Sequence, residues 1–205
     1  KVWLIDPTYT QQQQSSYAMP SAIGGIATFT DKYVKNLKKP VRIFKYPETL
    51  AEALKKEGPP DIIGFSNYVW NHELSRALAA RIKAQSPKTI TVIGGPNYPV
   101  ETSEQESYLH THPEIDFFVV GEGELAFANL VASLIRNGLD KKKINEILPS
   151  VHYIKTNREV HITCIMERIE DLTAIPSPYL EGKLDEFFDG RLQPVIQTTR
   201  GCPFG

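Results

Sequence analysis

Five times in the first 136 residues, an uninterrupted apolar run is followed by a stretch able to wind into a helix. The runs are VWLID (2–6), VRIFKY (41–46), DIIGFSNYVW (61–70), TITVIGG (89–95) and DFFVVGEGE (116–124). A strand with one wet face alternates apolar and polar residues, so continuous runs such as these must be covered on both faces. Strands of that kind alternating with helices imply a parallel sheet between two helical layers. Right-handed crossovers then leave few topologies, the simplest being a five-stranded doubly wound α/β sheet of the flavodoxin-like or Rossmann-like kind. The helices are expected over 22–37, 47–56, 72–84, 101–109 and from the fifth run to Arg136, with Asn137-Gly138 closing the last.

Beyond Gly138 the rhythm breaks. VHYIKTNREVHIT (151–163) reads as a β-hairpin turning at Thr156-Asn157, an appendage to the first unit. IEDLTAIPSPYLEGKLDEFFDG (169–190) is rich in proline and acid without helical periodicity, as an interdomain connector would be. PVIQTTRGC then opens a new apolar run. The expected division is therefore 1–140 for the α/β unit, 141–190 for hairpin and connector, and 191–205 for the first strand of a further unit.

Charge narrows the partners. Lys and Arg number 23 against 24 Asp and Glu, a formal net charge of −1, so no basic footprint for nucleic acid or an anionic membrane is visible. Lys141-Lys142-Lys143 reads as a solvated turn. No apolar stretch approaches the roughly 20 residues of a membrane span. Two cysteines, Cys164 and Cys202, are too few for a disulfide framework, which points to a reducing, cytoplasmic setting. Cys164 is expected to pack as a small hydrophobe.

In doubly wound sheets, ligands bind beyond the carboxyl ends of the strands, at the switch in strand order. The unusual residues of this chain gather there. After the first strand comes a long polar loop, PTYTQQQQSSYAMPSAIGG (7–25). After the third come Ser66, Asn67 and Tyr68, with Trp70-Asn71 close behind. Ser66 or Asn67 could cap the next helix or face a ligand, and Tyr68 with Trp70 offers flat apolar walls with polar edges. After the fourth, Gly94-Gly95-Pro96 either admits something bulky to the backbone or forms a tight turn.

After the fifth, Gly121-Glu122-Gly123-Glu124-Leu125-Ala126 matches the dinucleotide fingerprint G-x-G-x-x-[GA] in letters. Its chemistry is wrong, because Glu122 and Glu124 would set two carboxylates against two phosphates. Both suit a helix N-terminus on dipole grounds alone. The five histidines form no catalytic or metal set, and His110-Thr111-His112 reads as a solvated segment.

The closing VIQTTRGCPFG resembles the first barrel strand of radical S-adenosylmethionine enzymes. In that superfamily the strand leads into C-x-x-x-C-x-x-C, whose thiolates hold a 4Fe–4S cluster. Cys202-Pro203-Phe204-Gly205 is similar to the first cysteine and its three spacers, with the other two cysteines expected past Gly205. The upstream IGFSNYVWN, VIGGP and VVGEGE, followed by IEDLTAIPSP, are similar to cobalamin-binding members of the superfamily over essentially the whole chain. The cobalamin pattern there is D-x-H-x-x-G after strand one, S-x-L after strand three and G-G after strand four. Ser66, Gly94 and Gly95 match it, while Tyr68 stands for Leu and the loop after Asp6 holds no histidine.

The resemblance implies a cobalamin-binding domain that supplies no histidine axial ligand from the strand-one loop. Ser66, Asn67, Tyr68, Trp70, Gly94, Gly95, Gly121 and Glu122 would line the cofactor, and Cys202 would be the first cluster ligand. It implies a catalytic barrel in cis that uses the cluster and S-adenosylmethionine for methyl transfer or another radical reaction on an unnamed substrate. Residues 1–205 alone would be catalytically silent. The alternative is a flavodoxin-like platform that has lost cobalamin.

Overall fold

The computed structural model describes residues 1–11, 16–155 and 157–200. Strands and helices alternate as the apolar rhythm requires. They are β1 (Val2–Ile5), α1 (Ser21–Tyr33), β2 (Arg42–Phe44), α2 (Pro47–Glu57), β3 (Ile62–Ser66), α3 (His72–Gln85), β4 (Ile90–Gly94), α4 (Thr102–Thr111), β5 (Phe117–Val119) and α5 (Gly123–Arg136), then β6 (Val151–Ile154) and β7 (Val160–His161). The sheet order is β2-β1-β3-β4-β5-β6-β7, with β1 to β5 mutually parallel. The order reverses between β1 and β3, which is the switch point.

Each strand feeds both faces. Val2, Leu4, Ile62, Ile90, Val92, Phe117 and Val119 pack under α1 and α5, whereas Trp3, Ile5, Ile63, Phe65, Ile93 and Phe118 pack under α2, α3 and α4. This two-sided burial is why the runs are continuous in apolarity. Phe117 and Phe118 are both fully buried, one on each side.

Helix α1 stops at Tyr33, short of the expected residue 37, because Val34 takes extended backbone and turns into the core. The Asp31 carboxylate then accepts from the Val41 amide and from Lys183, closing α1 against β2. The third strand also ends early, at Ser66. The Asn71 side chain accepts the Tyr68 amide, while the Tyr68 carbonyl accepts the amides of Asn71 and His72, folding 67–71 into a tight turn.

The hairpin continues the main sheet. β6 runs antiparallel to β5, with Phe118 opposite His152 and Val119 opposite Val151, and β7 pairs with β6. It covers what would be an open edge of a parallel sheet. Thr156 of its expected turn lies outside the described residues.

The connector lies along the domain as a strap with two short 3₁₀ turns. Leu184 and Phe187 enter the core under α1, and Thr28 donates to the Pro176 carbonyl at 2.8 Å. Gly24 is required here, since a Cβ would stand 2.9 Å from Pro178. Residues 194–200 form no strand. A strand needs a neighbouring backbone to pair with, and of the described residues from 191 onward only Gln193 bridges to one, beside Ala18. Cys164, expected inside, is exposed. It follows β7 in an irregular stretch where its carbonyl accepts from Ser150 while its side chain faces out.

Candidate cofactor site at the strand ends

Four polar side chains meet across the switch point. Ser66, the last residue of β3, donates its hydroxyl to Asp6 Oδ1 at 2.5 Å. Asn71 Nδ2 reaches the same oxygen at 3.0 Å and Ser66 Oγ at 2.8 Å. Lys45, just past β2, places Nζ 2.7 Å from Asp6 Oδ2. Lys45 and Asn71 are fully buried and Ser66 nearly so. A lysine at that depth is held by its carboxylate partner, because an isolated charge there would cost several kcal/mol. Neither Ser66 nor Asn67 caps α3. Asn71 occupies that position, and Ser75 returns to the Ser66 carbonyl at 2.7 Å.

Asn67 ties the next two loops together. Its amide N–H donates to the Gly94 carbonyl at 2.8 Å, its side-chain Nδ2 donates to the Asn97 carbonyl at 2.5 Å, and its Oδ1 meets His72 Nδ1 at 2.8 Å. Gly95 lies against this same segment with φ +141°. A Cβ on it would come within 2.5 Å of the Asn67 carbonyl oxygen. A Cβ on Gly94 would stand 3.2 Å from the Val119 carbonyl oxygen. The close approach that both glycines permit is to neighbouring backbone within the domain.

Beyond the buried cluster lies an apolar rim. The rings of Tyr68 and Trp70 stack with centroids 4.6 Å apart and planes within 5° of parallel. Trp70 stays 48% exposed, and its neighbour Val69 and Val100 after β4 are more exposed still. Tyr9 and Tyr17, from the strand-one loop, are exposed large hydrophobics on the same set of loops. Burial first, and then the Asp6 carboxylate, push the Tyr68 phenol above its ordinary pKa, so it remains a neutral donor at physiological pH. Thr8 stands where the D-x-H-x-x-G pattern has histidine. It is fully buried, and its hydroxyl accepts from the Ser16 amide at 3.1 Å.

The β5 end is organised differently. Gly121 takes φ +76°, with Ile165 beside it. Glu122 accepts the Ile169 amide of the connector at 3.1 Å, and Glu124 forms a two-pronged pair with Arg200. The acidic pair that ruled out a dinucleotide site thus holds the Arg200 guanidinium and the Ile169 amide.

His112 departs from the solvated reading. Tyr108 sits edge-on to it at 4.4 Å between ring centroids, and burial pulls its pKa below the ordinary range. His110 is exposed as expected. Among the described residues no group of three or more His, Cys, Asp and Glu could hold a metal. Also among them, no helix is long and apolar enough to cross a membrane. Cys202 lies outside the described residues.

Of the expected site residues, Ser66, Asn67, Tyr68, Trp70, Gly94 and Gly95 come together at the ends of β3 and β4, whereas Gly121 and Glu122 sit at the end of β5. Sequence reasoning passed over Lys45 and Asn71 as site residues and used Asp6 only as a strand end. A lysine inside the apolar run VRIFKY was the signal, since lysine is buried only when paired.

A mostly parallel sheet in the order 2-1-3-4-5, with a polar cluster at its β1/β3 switch and apolar loops around it, defines a flavodoxin-like doubly wound domain. The family model described as "B12 binding domain" matches residues 21–131. The chain belongs to the B12-binding domain family. It is 26% identical over 197 residues to the cobalamin-dependent radical SAM methyltransferase TokK of Streptomyces tokunonensis, covering 91% of this chain and 27% of that protein. It is 30% identical over 151 residues to the 2-(S-pantetheinyl)-carbapenam-3-carboxylate methyltransferase of Streptantibioticus cattleyicolor, covering 71% of this chain and 21% of that one. The fold matches the cobalamin-dependent S-adenosylmethionine radical enzyme OxsB, solved with aqua-cobalamin and S-adenosylmethionine bound. The TM-score is 0.67 at 16% identity, covering 98% of this chain and 27% of that one. The chain spans about a quarter of the length of these relatives.

Proposed function

We propose that this chain holds cobalamin for a radical S-adenosylmethionine enzyme, with the corrin seated on the loops after β1, β3 and β4. The observation that carries the reading is the stacked Tyr68–Trp70 pair, left half open at the switch point above the Asp6–Ser66–Asn71–Lys45 cluster. A corrin is a broad disc with apolar faces and an amide fringe. An aromatic wall with exposed apolar neighbours, ringed by polar groups, suits it. Ser66, Asn67 and Tyr68 supply the polar edge, and Trp70 supplies the wall.

The residues present fit a cobalamin that takes no axial imidazole from the strand-one loop. No histidine follows Asp6 in the strand-one loop, and Thr8, in the corresponding position, spends its hydroxyl on Ser16. When bound, cobalamin would supply methyl transfer or related radical chemistry, in concert with the cluster and S-adenosylmethionine of a barrel in cis. In this reading 1–140 is the cofactor unit, 141–190 joins it to the barrel, 191–205 begins that barrel with Cys202 as first cluster ligand, and the chain alone is catalytically silent. Its relatives' names support methyl transfer as the reaction class.

A platform without cobalamin is favoured by one set of contacts: Gly94, Gly95 and Glu122 are already explained by Val119, Asn67, Ile169 and Arg200. Titration with hydroxocobalamin separates the two. Saturable binding by absorption and calorimetry, weakened roughly tenfold by Trp70→Ala with an unchanged melting temperature, is expected for the cofactor reading. Absence of binding, or equal affinity in Trp70→Ala, overturns it.

A further inference from the structure

The segment that leads to Cys202 is fastened to the domain at two points. The Tyr179 hydroxyl grips both backbone groups of Val195, donating to its carbonyl at 2.8 Å and accepting its amide at 2.9 Å. Five residues on, Arg200 inserts its guanidinium between the two carboxylates that open α5. It pairs with both oxygens of Glu124 and lies 3.5 Å from Glu122 Oε2. Glu124 is nearly inaccessible to water at 4% exposure, so this pair is screened far less than a surface contact. Ile196 between the anchors is 77% exposed and contributes little packing of its own.

The acidic letters of Gly121-Glu122-Gly123-Glu124 also divide their labour. Glu122 holds the connector through the Ile169 amide. Glu124 holds the far end of the same connection through Arg200. Gly25 of α1 faces the pair, and a Cβ there would stand 3.7 Å from Glu124 Oε1. The fork geometry of a guanidinium on a carboxylate fixes direction as well as distance.

We propose that Arg200 is a positioning residue and that Glu124, assisted by Glu122, is its latch, setting the segment before Cys202 in fixed register on the N-terminus of α5. The functional meaning, a cluster loop registered against a cobalamin face, rests on the reading above, whereas the latch itself does not. Its signature is that the Arg200 side chain, which also donates Nε to Gln197 Oε1 at 3.0 Å, is occupied within the domain although residues 195–199 before it are exposed.

Trypsin reads this directly, because it must take the arginine side chain to cut the Arg200–Gly201 bond. The 205-residue chain is digested without corrinoid. Cleavage after Arg200, followed by mass spectrometry, is normalised to cleavage after Arg158, an exposed turn residue far along the chain. Glu124→Gln keeps shape and removes the charge, and should raise the normalised rate at least about tenfold, given the strength of charge-assisted bonds. Arg200→Lys keeps a cleavable cation but loses the fork, and should be cut at a rate between those of wild type and Glu124→Gln. A normalised rate within about twofold of wild type in Glu124→Gln would overturn the latch, as would a parallel rise at Arg158, the mark of general loosening. If Glu124→Gln does not fold, Arg200→Lys decides alone, with cleavage no faster than wild type counting against the latch. Because no corrinoid is present, failure of the latch and failure of the cofactor reading are separate results.

Discussion

Replacing Gly95 with alanine tests whether this glycine serves the ligand or the backbone. The residue sits at φ +141°, a region that L side chains rarely adopt. The added Cβ would meet three backbone atoms of Asn67, at 2.5, 2.9 and 3.0 Å. None of these can swing aside like the tip of a side chain. The Asn67 amide is bonded to the Gly94 carbonyl, and its carbonyl accepts from Asn97 at 3.2 Å, so moving it disturbs both loops. Backbone strain of this kind costs about 1–3 kcal/mol, and overpacking adds about 1–3 kcal/mol. The expected destabilisation is therefore about 2–6 kcal/mol, a large share of a typical domain's stability. Urea unfolding followed by tryptophan fluorescence and circular dichroism would show a lowered midpoint with an unchanged slope, and a melting temperature lower by on the order of 10 °C. A midpoint indistinguishable from wild type, with cobalamin affinity lost, would refute this account and return Gly95 to the ligand.

Lys45→Met should destabilise the chain by about 3–5 kcal/mol by stranding the Asp6 carboxylate, and Asp6→Asn in the same chain should recover much of it; chemical denaturation of the single and double variants checks this, and no recovery would contradict it. Stability should also fall with acidification. Burial is the leading cause that holds His72, His112, His152 and His161 below the ordinary 6.5, so the unfolded chain binds more protons as pH drops. The contribution is complete above about pH 6.5 and is lost below it, so urea midpoints should decline from pH 7.5 to 5.5. A flat or rising series would refute it. The depressed Asp116 carboxyl does not interfere in that window. Burial alone would raise it, but Lys141 and Lys83 together hold it low, and it titrates only in stronger acid.

The layering was legible in the apolar runs alone. Continuous runs such as IIGF and ITVI can satisfy both their faces only between two helical layers, so β3 and β4 and the helices after them were legible from local composition. The sequence also marked the strand ends where Ser66, Tyr68, Trp70 and the glycine pair stand. Tertiary structure decided what those residues touch. Asp6 meets Lys45, Ser66 and Asn71 across separations of 39, 60 and 65 residues, and Glu124 meets Arg200 across 76. No local pattern encodes such pairings. They arise when hydrogen-bonded strands bring distant loops to one edge of the sheet. The same holds for Gly95, whose letter allowed either a guest or a tight turn and which the fold sets against Asn67, and for the hairpin, which could become β6 and β7 only where β5 offered an unpaired edge. Local apolarity sets which elements form, because burial is a property of each segment. Polar partnership is a property of pairs, and only the assembled sheet chooses them.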